Sequence, residues 1–335
     1  MDHRQNILLV RLKSMGDVLF TLPAVHAVRE NFPEARLHFL VSRQNAPLLR
    51  GFSEIDEVIV LDQAVFLSKN FKAICRGAVD LLRRLRQPRF ARVIDFQGFG
   101  ETELLAWWTG APERWGSVYR RHRGWLYSRG AWRNDGMHLA DWNLSLLRQC
   151  GLPIGPIQNK FVLPADALDE ARKVFAACQL NWTEPTLFIQ PFTSSPHKNW
   201  PLEDYLALAA HWRSRGIQIL FGGGPSERPA LEPARAAGFA VAAGSPLLVS
   251  AGLAKLSTLI VGGDTGLLHL AVAMGRRVVM LMGARAWRLT HPLHHPDWAV
   301  TTHASDYVSE IKADAVLSAC GRALAEAGGR AHLSF

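Results

Sequence analysis

Short apolar runs alternate with longer stretches of helical periodicity along the first half of the chain. Four runs have the length and composition of buried strands, at residues 7–10, 37–41, 58–61 and 93–96. Helical patterns lie between them, and two are well marked, one that reaches residue 31 and a basic one at 71–87. This alternation predicts a parallel sheet with right-handed helical crossovers.

The second half repeats the same α/β pattern. Strand patterns lie at 187–190, 217–221, 240–241, 259–261 and in one further run directly after Gly275. Helical patterns lie at 166–179, 201–215, 229–237, 264–275 and 308–327. The Gly- and Pro-rich segment 151–164 separates the two halves, so we expect two domains, 1–165 and 166–335.

Residues 118–137 interrupt this pattern, because no apolar period fits them. Arginines alternate with aromatic residues in this segment, which contains Tyr119, Arg120, Arg121, Arg123, Trp125, Tyr127, Arg129, Trp132 and Arg133. Two interpretations stay open. The segment is either a solvated loop or a surface that binds anionic, ring-shaped ligands at a membrane.

The net charge of +9 is concentrated in the first half. Residues 1–165 hold 23 Lys and Arg against 15 Asp and Glu, whereas the remaining residues hold 15 against 14. Such a surface attracts nucleic acid, anionic lipid or an acidic sugar, and charge alone does not choose among them. The four cysteines are far apart, no apolar run reaches the ~18 residues that span a bilayer, and the polar N-terminus does not resemble a signal peptide. We therefore expect a cytosolic protein with reduced thiols.

The turn after the strand pattern at 259–261 is the first candidate for chemistry. A glycine pair ends the strand, and Asp264, Thr265 and Gly266 begin a helical pattern. In one interpretation Asp264 or Thr265 only caps the helix, and His269 packs one turn further along. In the other, a diphosphate also binds the exposed backbone N–H groups of the first turn, and His269 projects from the same helix face as Thr265.

Two other loops of the second half follow strand patterns. Lys198 lies in a hydroxyl-rich loop with Thr193 and Ser194, so it is either a solvated lysine or a donor to phosphate oxygens. Three consecutive glycines follow the strand pattern at 217–221, but the third small residue of G-x-G-x-x-G is missing, which argues against an NAD site. Glu227 lies just beyond the three glycines. It either accepts a hydrogen bond from a ribose hydroxyl or is solvated.

The corresponding loop of the first half follows the strand pattern at 7–10 and ends at Asp17. Asp17 is either a helix cap or a general base that takes a proton from an attacking hydroxyl. Arg11 and Lys13 place positive charge beside it and would also attract an acidic acceptor. No His, Asp or Glu grouping has a convincing metal-ligand spacing, and no G-x-S-x-G motif indicates a serine hydrolase.

Three motifs follow one another in order, one in the first half and two in the second. They are ILLVR at 7–11 with SMGDVL at 14–19 and TLPA at 21–24, then HKNWP at 197–201, then GDTG at 263–266 with HLA at 269–271. With them the chain resembles glycosyltransferase family 9, the ADP-heptose:lipopolysaccharide heptosyltransferases, over nearly its whole length. The resemblance implies a GT-B architecture of two Rossmann-like domains that face each other across a cleft. The first would bind the acceptor and the second the donor, with the last helix, about 308–327, crossing back to the first.

The resemblance also implies roles for individual residues. Asp17 matches the catalytic base, and Lys198 matches the lysine that contacts the donor phosphates. The other donor-binding candidates are Thr193, Ser194, Glu227, Asp264, Thr265, Gly266 and His269. The acceptor-binding candidates are Arg11, Lys13, Ser14, Arg120, Arg121 and Arg123. Lys13 departs from the family pattern, which usually has a small hydroxyl residue there.

The implied reaction is transfer of a heptose, with inversion and without a metal or other cofactor, from ADP-heptose to a hydroxyl of the lipopolysaccharide inner core. The acceptor would be an anionic glycolipid, Kdo-lipid A or heptosylated core, reached by a peripheral protein at the cytoplasmic face of the inner membrane. Three alternatives stay open: a GT-B enzyme with another nucleotide sugar or acceptor, a sugar-nucleotide epimerase, and a nucleic-acid-binding protein. Nucleic-acid binding would explain the charge but not the three motifs, so we expect no nucleic-acid partner.

Overall fold

The computed structural model describes residues 5–67, 71–119, 121–302 and 304–331. The chain divides into two compact units, Met1–Lys160 and Phe161–Phe335, and each is built on a six-stranded parallel sheet. Within the described ranges, none of the helices combines the length and the apolar character that crossing a lipid bilayer requires.

The first unit contains six strands and six α-helices among its described residues. The strands are β1 Asn6–Val10, β2 Arg36–Ser42, β3 Glu57–Leu61, β4 Arg92–Asp95, β5 Glu113–Val118 and β6 Arg129–Trp132. The helices are α1 Met15–Leu19, α2 Leu22–Asn31, α3 Gln63–Leu67, α4 Phe71–Arg86, α5 Thr102–Trp108 and α6 Leu139–Gln149, with 3₁₀ helices at Ala46–Gly51 and Arg121–Leu126. The sheet order β3-β2-β1-β4-β5-β6 is that of a doubly wound nucleotide-binding domain.

The second unit has the same strand order. Its strands are β7 Thr186–Gln190, β8 Gln218–Gly223, β9 Ala240–Ala243, β10 Leu259–Gly263, β11 Val278–Met282 and β12 Ala299–Thr301. Its helices are α7 Ala165–Ala177, α8 Leu202–Arg213, α9 Glu232–Ala236, α10 Leu247–Leu256, α11 Gly266–Ala273, α12 Ala284–Thr290 and α13 Ala313–Ala331. Short 3₁₀ helices lie at Pro196–Lys198, Pro225–Glu227, Pro229–Leu231, Pro296–Trp298 and Val308–Glu310. The order β12-β11-β10-β7-β8-β9 places the first strand of this unit beside its fourth, as in the first unit.

Helices cover both faces of each sheet, which explains why most of the strands are apolar along their whole length. In the first unit, α4 and α5 contribute Leu85 and Ala106 to a core that includes Leu8 and Val93, while α2 packs against α6. In the second unit, α13 packs on β10, β11 and β12 and buries Val316 in the core. The expected crossing of this helix to the first domain stays a prediction.

Several elements differ from the sequence-based expectation. Residues 118–137 are not an irregular loop, because they contain the end of β5, a 3₁₀ helix and all of β6. The helical pattern that reaches residue 31 is two helices, and Pro23 lies in the first turn of the second. The pattern at 229–237 is a 3₁₀ turn followed by the five-residue α9. The strands β5, β6 and β12 and the helices α5, α10 and α12 were not predicted.

Candidate active site

The main candidate site residues lie on three loops that leave corresponding strand pairs of the two sheets. In the first unit β1 pairs with β4, and in the second β7 pairs with β10. At these positions the chain connections leave in opposite directions, so the carboxyl ends of the strands border an open crevice. The loop after β1 leads to Asp17, the loop after β7 contains Lys198, and the turn after β10 begins with Asp264.

Asp264 links the loop after β7 to the turn after β10. These two connections flank the switch point of the second unit, which is the position where the chain connections reverse direction. Lys198 Nζ donates a hydrogen bond of 2.7 Å to Asp264 Oδ2, and His269 Nε2 lies 2.8 Å from Oδ1. The hydroxyl of Thr290, at the end of α12, lies 3.4 Å from Oδ1. The Asp264 side chain is only 8% exposed, so these neighbours take the place of water around the carboxylate. Sequence reasoning did not find Thr290, because this contact joins residues on separate elements.

The charge of Asp264 is set by its neighbours. Burial alone raises the pKa of this carboxyl group, but the hydrogen bond from His269 and the attraction of His269 and Lys198 outweigh burial and hold the pKa well below its usual range. Asp264 is therefore an ionised carboxylate at neutral pH. It fixes the position of the Lys198 ammonium group.

Glycines allow the loop after β7 to lie against the end of β10. A Cβ atom on Gly263 would lie 2.6 Å from Thr193 Cγ2 and 2.8 Å from the carbonyl oxygen of Lys198. A Cβ atom on Gly262 would lie 2.4 Å from the carbonyl oxygen of Gln190. Both distances are shorter than side chains tolerate, so the glycine pair is a packing requirement that brings Lys198 to Asp264.

The helix α11 begins one residue after Thr265, which is its N-cap. Thr265 has extended backbone angles and its hydroxyl accepts a 3.4 Å hydrogen bond from Leu268 N–H. Thr265 therefore has the capping role that the sequence assigned to either Asp264 or Thr265. The N–H groups of Gly266 and Leu267 belong to the first turn, where a helix supplies no acceptor, so they are available to an anion.

The loop between β7 and Lys198 is held together by Thr193 and Asn199. The N–H and the hydroxyl of Thr193 each lie 2.8 Å from Asn199 Oδ1, and Ser195 N–H donates to the Thr193 hydroxyl at 3.2 Å. Thr193 thus shapes the loop, whereas Ser194 is exposed at its surface. Sequence reasoning did not assign a role to Asn199.

Glu227 lies one strand away from the switch point, after β8. Its Oε2 atom accepts a 2.7 Å hydrogen bond from Gly224 N–H, so the side chain caps the 3₁₀ turn Pro225–Glu227. The strands β7 and β8 are neighbours, which places Glu227 at the same edge of the sheet as the loop of Lys198. Its suggested contact with a ribose stays a prediction.

Asp17 is the third residue of α1 in the first unit. Its Oδ2 atom accepts hydrogen bonds from the N–H of Ser14 at 2.8 Å and the hydroxyl of Ser14 at 3.1 Å, and it lies 2.8 Å from Arg11 Nη2. Its other oxygen, Oδ1, has no hydrogen-bond partner among the described residues, and the side chain is 23% exposed. The contacts of Oδ2 therefore hold the carboxylate in place and leave Oδ1 available to accept a hydrogen bond.

The loop that carries Asp17 rests on a buried polar cluster that the sequence did not reveal. Arg11 Nη1 donates to the carbonyl of Phe96 at 2.9 Å, and Leu12 N–H donates to Gln97 Oε1 at 3.1 Å. Asp95, at the end of β4, accepts hydrogen bonds from Gln97 N–H at 2.9 Å and the Tyr127 hydroxyl at 2.7 Å. Burial raises the pKa of Asp95. Burial and the neighbouring Asp95 also raise the pKa of Tyr127.

The remaining acceptor candidates are on the surface or outside the described residues. Lys13 and Ser14 are exposed beside Asp17. Arg120 lies outside the described residues. Arg121 and Arg123 belong to the 3₁₀ helix Arg121–Leu126, but their side chains lie outside the described part of the structure.

The family model of glycosyltransferase family 9 (heptosyltransferase) matches residues 78–316. The chain belongs to glycosyltransferase family 9. This family 9 protein is similar to the lipopolysaccharide core heptosyltransferase OpsX of Haemophilus influenzae, at 21% identity over 92% of this chain and 87% of that protein. It also resembles the crystal structure of a family 9 glycosyltransferase from Veillonella parvula, with a TM-score of 0.84 and 20% identity over 97% of this chain and 99% of that one.

A third comparison is the Escherichia coli heptosyltransferase WaaC with ADP, which matches with a TM-score of 0.77 and 20% identity over 95% of this chain and 100% of that one. These likenesses and the two six-stranded parallel sheets establish the GT-B fold, which consists of two Rossmann-like domains. Because the chain belongs to family 9, it is a glycosyltransferase, as the sequence predicts.

Proposed function

We propose that the family 9 protein transfers a heptose from ADP-heptose to a hydroxyl of the lipopolysaccharide inner core. The observation that carries this proposal is the Lys198–Asp264–His269 cluster beside the N-terminus of α11, in a chain of the heptosyltransferase family. The relatives supply the chemical identity of the substrates, since OpsX is named a lipopolysaccharide core heptosyltransferase and WaaC is described with ADP.

The donor diphosphate would bind in the second unit. A lysine ammonium group has three protons, and Asp264 engages Lys198 Nζ through one short contact, which leaves donors for phosphate oxygens. The side chain of Lys198 is 29% exposed, so a ligand can reach it. The N–H groups of Gly266 and Leu267 would hold the same diphosphate at the positive end of the α11 dipole.

Asp17 would act as the general base in the first unit. Its Oδ1 atom would take the proton of the acceptor hydroxyl while Ser14 and Arg11 hold Oδ2 in place. The acceptor oxygen then attacks the anomeric carbon from the face opposite the diphosphate, so the configuration inverts. The bond from the anomeric carbon to ADP breaks, and its electron pair leaves with the diphosphate, whose growing charge Lys198 and the α11 amides stabilise.

This mechanism would require no metal, because Lys198 and the α11 amides would stabilise the charge that the leaving diphosphate gains. The acceptor would be Kdo-lipid A or heptosylated core, an anionic glycolipid. The 23 basic against 15 acidic residues in 1–165 support this choice. Arg11 contacts Asp17, and the exposed Lys13 lies on the same loop. The protein would work at the cytoplasmic face of the inner membrane as a peripheral protein.

A transfer assay tests the proposed function. The purified protein is incubated with ADP-heptose and either Kdo-lipid A or heptosylated core, with and without a metal chelator. We expect mass spectrometry to show one heptose added to the acceptor, both with and without the chelator. Nuclear magnetic resonance should show that the anomeric configuration of the transferred heptose is inverted. Transfer only from UDP- or GDP-linked sugars would overturn the heptose assignment. Conversion of a nucleotide sugar without any acceptor would favour an epimerase instead.

A further inference from the structure

The outward side of α4, α5 and the 3₁₀ helix Arg121–Leu126 has a composition that the core does not explain. These three elements pack side by side over one face of the first sheet. Their inward residues, such as Leu85 and Ala106, belong to the hydrophobic core. We call the outward side the basic–aromatic face, and its described members are Lys72, Arg76, Val79, Arg83, Arg86, Leu104, Trp107, Trp108 and Trp125.

The aromatic part of this face consists of large apolar side chains in contact with solvent. Leu104, Trp107 and Trp108 lie on one side of α5 at helical spacing and are 54%, 45% and 40% exposed. Trp125, on the adjacent 3₁₀ helix, is 68% exposed. Single exposed apolar residues are common, but several on neighbouring elements mark a surface that binds a protein, a membrane or another ligand.

The basic part of the face is a stripe along α4. Lys72, Arg76, Arg83 and Arg86 recur with Val79 at intervals of three and four residues, and all five are exposed. Arg86 joins the stripe to the aromatic part, because its guanidinium carbon lies 5.6 Å from the centre of the Trp108 ring and its Nε donates to the Trp108 carbonyl at 3.1 Å. Positive charge and exposed tryptophan therefore form one continuous surface.

We propose that the basic–aromatic face docks the family 9 protein onto a bilayer that contains anionic lipid. Tryptophan prefers the boundary between headgroups and acyl chains, where its ring is in an apolar medium and its N–H stays hydrated. Lysine and arginine beside it meet the negative headgroups, and their aliphatic stems lie along the apolar boundary. The proposal rests on the proposed function, since a lipid-linked acceptor requires the enzyme at a membrane surface.

The first test is co-sedimentation of the full-length protein with vesicles of neutral phosphatidylcholine and with vesicles that also contain phosphatidylglycerol. We expect binding to the anionic vesicles. The double variant Leu104→Ser/Trp107→Ser should bind about tenfold more weakly at low and high salt, because apolar burial is not screened. Arg76→Glu/Arg83→Glu should bind anionic vesicles at least about fivefold more weakly per substituted arginine at low salt. At high salt its binding should approach that of the wild type, because salt screens the charges.

Matched variants in the second unit serve as controls. Val162→Ser/Trp182→Ser removes two similarly exposed apolar side chains, and Arg172→Glu/Arg235→Glu changes the net charge by the same amount as the α4 variant. Both should bind vesicles as the wild type does. Equal losses in the control and test variants, or equal binding to neutral and anionic vesicles, would overturn the docking surface.

A second test leaves the surface intact. Cys75 is exposed on α4 between Lys72 and Val79, whereas Cys150 and Cys320 are buried. In a Cys178→Ser protein, anionic vesicles should slow the modification of Cys75 by a water-soluble maleimide several-fold. Modification of Cys178 in a Cys75→Ser protein should not change. An unchanged rate at Cys75 while the protein is bound to vesicles would show that another surface docks.

These outcomes are separable from the proposed function. A protein that shows no heptose transfer but docks through this face contradicts the proposed function alone. A protein that transfers heptose equally well to micellar and vesicle-embedded acceptors in the wild type and in Leu104→Ser/Trp107→Ser contradicts docking alone. The proposal predicts that this variant keeps its turnover on a delipidated acceptor and loses it only on vesicles.

Discussion

Asp95 and Asp264 are buried carboxylates at the carboxyl end of the fourth strand of their units, yet their pKa values shift in opposite directions. Asp95 ends β4, the fourth strand of the first unit, and Asp264 follows β10, the fourth strand of the second. Neutral donors surround Asp95, chiefly the Tyr127 hydroxyl and the N–H of Gly98, so burial dominates and raises its pKa. Around Asp264, interactions with His269 and Lys198 outweigh burial and lower it.

The difference shows that a shared fold fixes the place of a site but not its chemistry. In the second unit the carboxylate after the fourth strand holds the ammonium group of Lys198. In the first unit the carboxylate of Asp95, at the end of the fourth strand, accepts hydrogen bonds from Tyr127 and from the loop that follows the strand. The reactive candidate there is Asp17 on the loop after the first strand, where one carboxylate oxygen has no partner among the described residues.

Asp17→Asn should give the largest effect on activity. It distinguishes the proposed base in the first unit from the proposed ADP site in the second. The amide keeps the shape of the side chain but cannot accept a proton, so kcat should fall about 10²–10⁴-fold. The affinity for ADP should stay that of the wild type, because we propose that ADP binds in the second unit. Steady-state kinetics and calorimetric titration measure the two quantities. Asp135→Asn, at an 85% exposed side chain of the same unit, is the control. Turnover within a few-fold of the wild type would remove Asp17 as the base.

Tyr127→Phe tests the structural role of Asp95. The substitution removes the hydroxyl that donates to a fully buried carboxylate, so the free energy of unfolding should fall by about 1–3 kcal/mol. Urea denaturation measures this change, with Tyr307→Phe at a 60% exposed ring as control. ADP binding should be unchanged. A stability equal to that of the wild type would show that the hydroxyl contributes nothing there.

The opposite pKa shifts predict opposite pH dependences of stability. Asp264 has a lowered pKa in the folded state, so its contribution is present above its unfolded pKa near 3.8 and is lost as the pH falls through the folded value. Asp95 has a raised pKa, so its contribution is present below 3.8 and is lost as the pH rises through the folded value. The two carboxyl groups therefore stabilise the folded chain in different pH ranges.

Urea unfolding of Asp264→Asn and Asp95→Asn across the acid range checks this contrast. The stability gap between the wild type and Asp264→Asn should narrow below about pH 4. Relative to Asp95→Asn, the wild type should lose stability as the pH rises from about 4 toward neutrality. Gaps that change in the same direction for both variants would contradict the contrast between the two carboxylates.

Thr265→Ala should give the smallest effect. It removes the hydroxyl that accepts from Leu268 N–H at the start of α11, and loss of such a cap costs about 1 kcal/mol. Thr265→Ser keeps the hydroxyl and should keep most of the stability. Thermal denaturation of both variants measures the difference. An alanine variant as stable as the serine variant would show that the helix does not depend on this cap.

Local patterns were sufficient to predict the α/β fold and the loops that carry Asp17, Lys198 and Asp264. Continuous apolar runs such as β1 and β10 predict buried parallel strands, and turn residues after them mark the carboxyl edge of the sheet. The switch points then follow from strand order, which the alternation of strands and helices constrains.

The missed strands depend on contacts between distant residues. A Cβ atom on Gly116 in β5 would lie 2.2 Å from the Tyr127 ring, and one on Gly130 in β6 would lie 2.5 Å from Val118 Cγ2. Both glycines are needed for this close packing, but a glycine weakens the local strand pattern. The packing partners are not evident from the sequence, so the two strands were missed. The partners of Asp95 and the contact of Thr290 with Asp264 are equally remote along the chain, so they required the structure.

Calorimetric titration of ADP into the wild type and into Lys198→Ala measures whether Lys198, held by Asp264, binds the donor diphosphate. A charge-assisted hydrogen bond contributes about 1.5–3 kcal/mol, so the variant should bind ADP about 10–100-fold more weakly. Lys173→Ala, at a 72% exposed lysine, should bind ADP like the wild type. Equal ADP affinity in the wild type and Lys198→Ala would show that Lys198 does not bind the diphosphate.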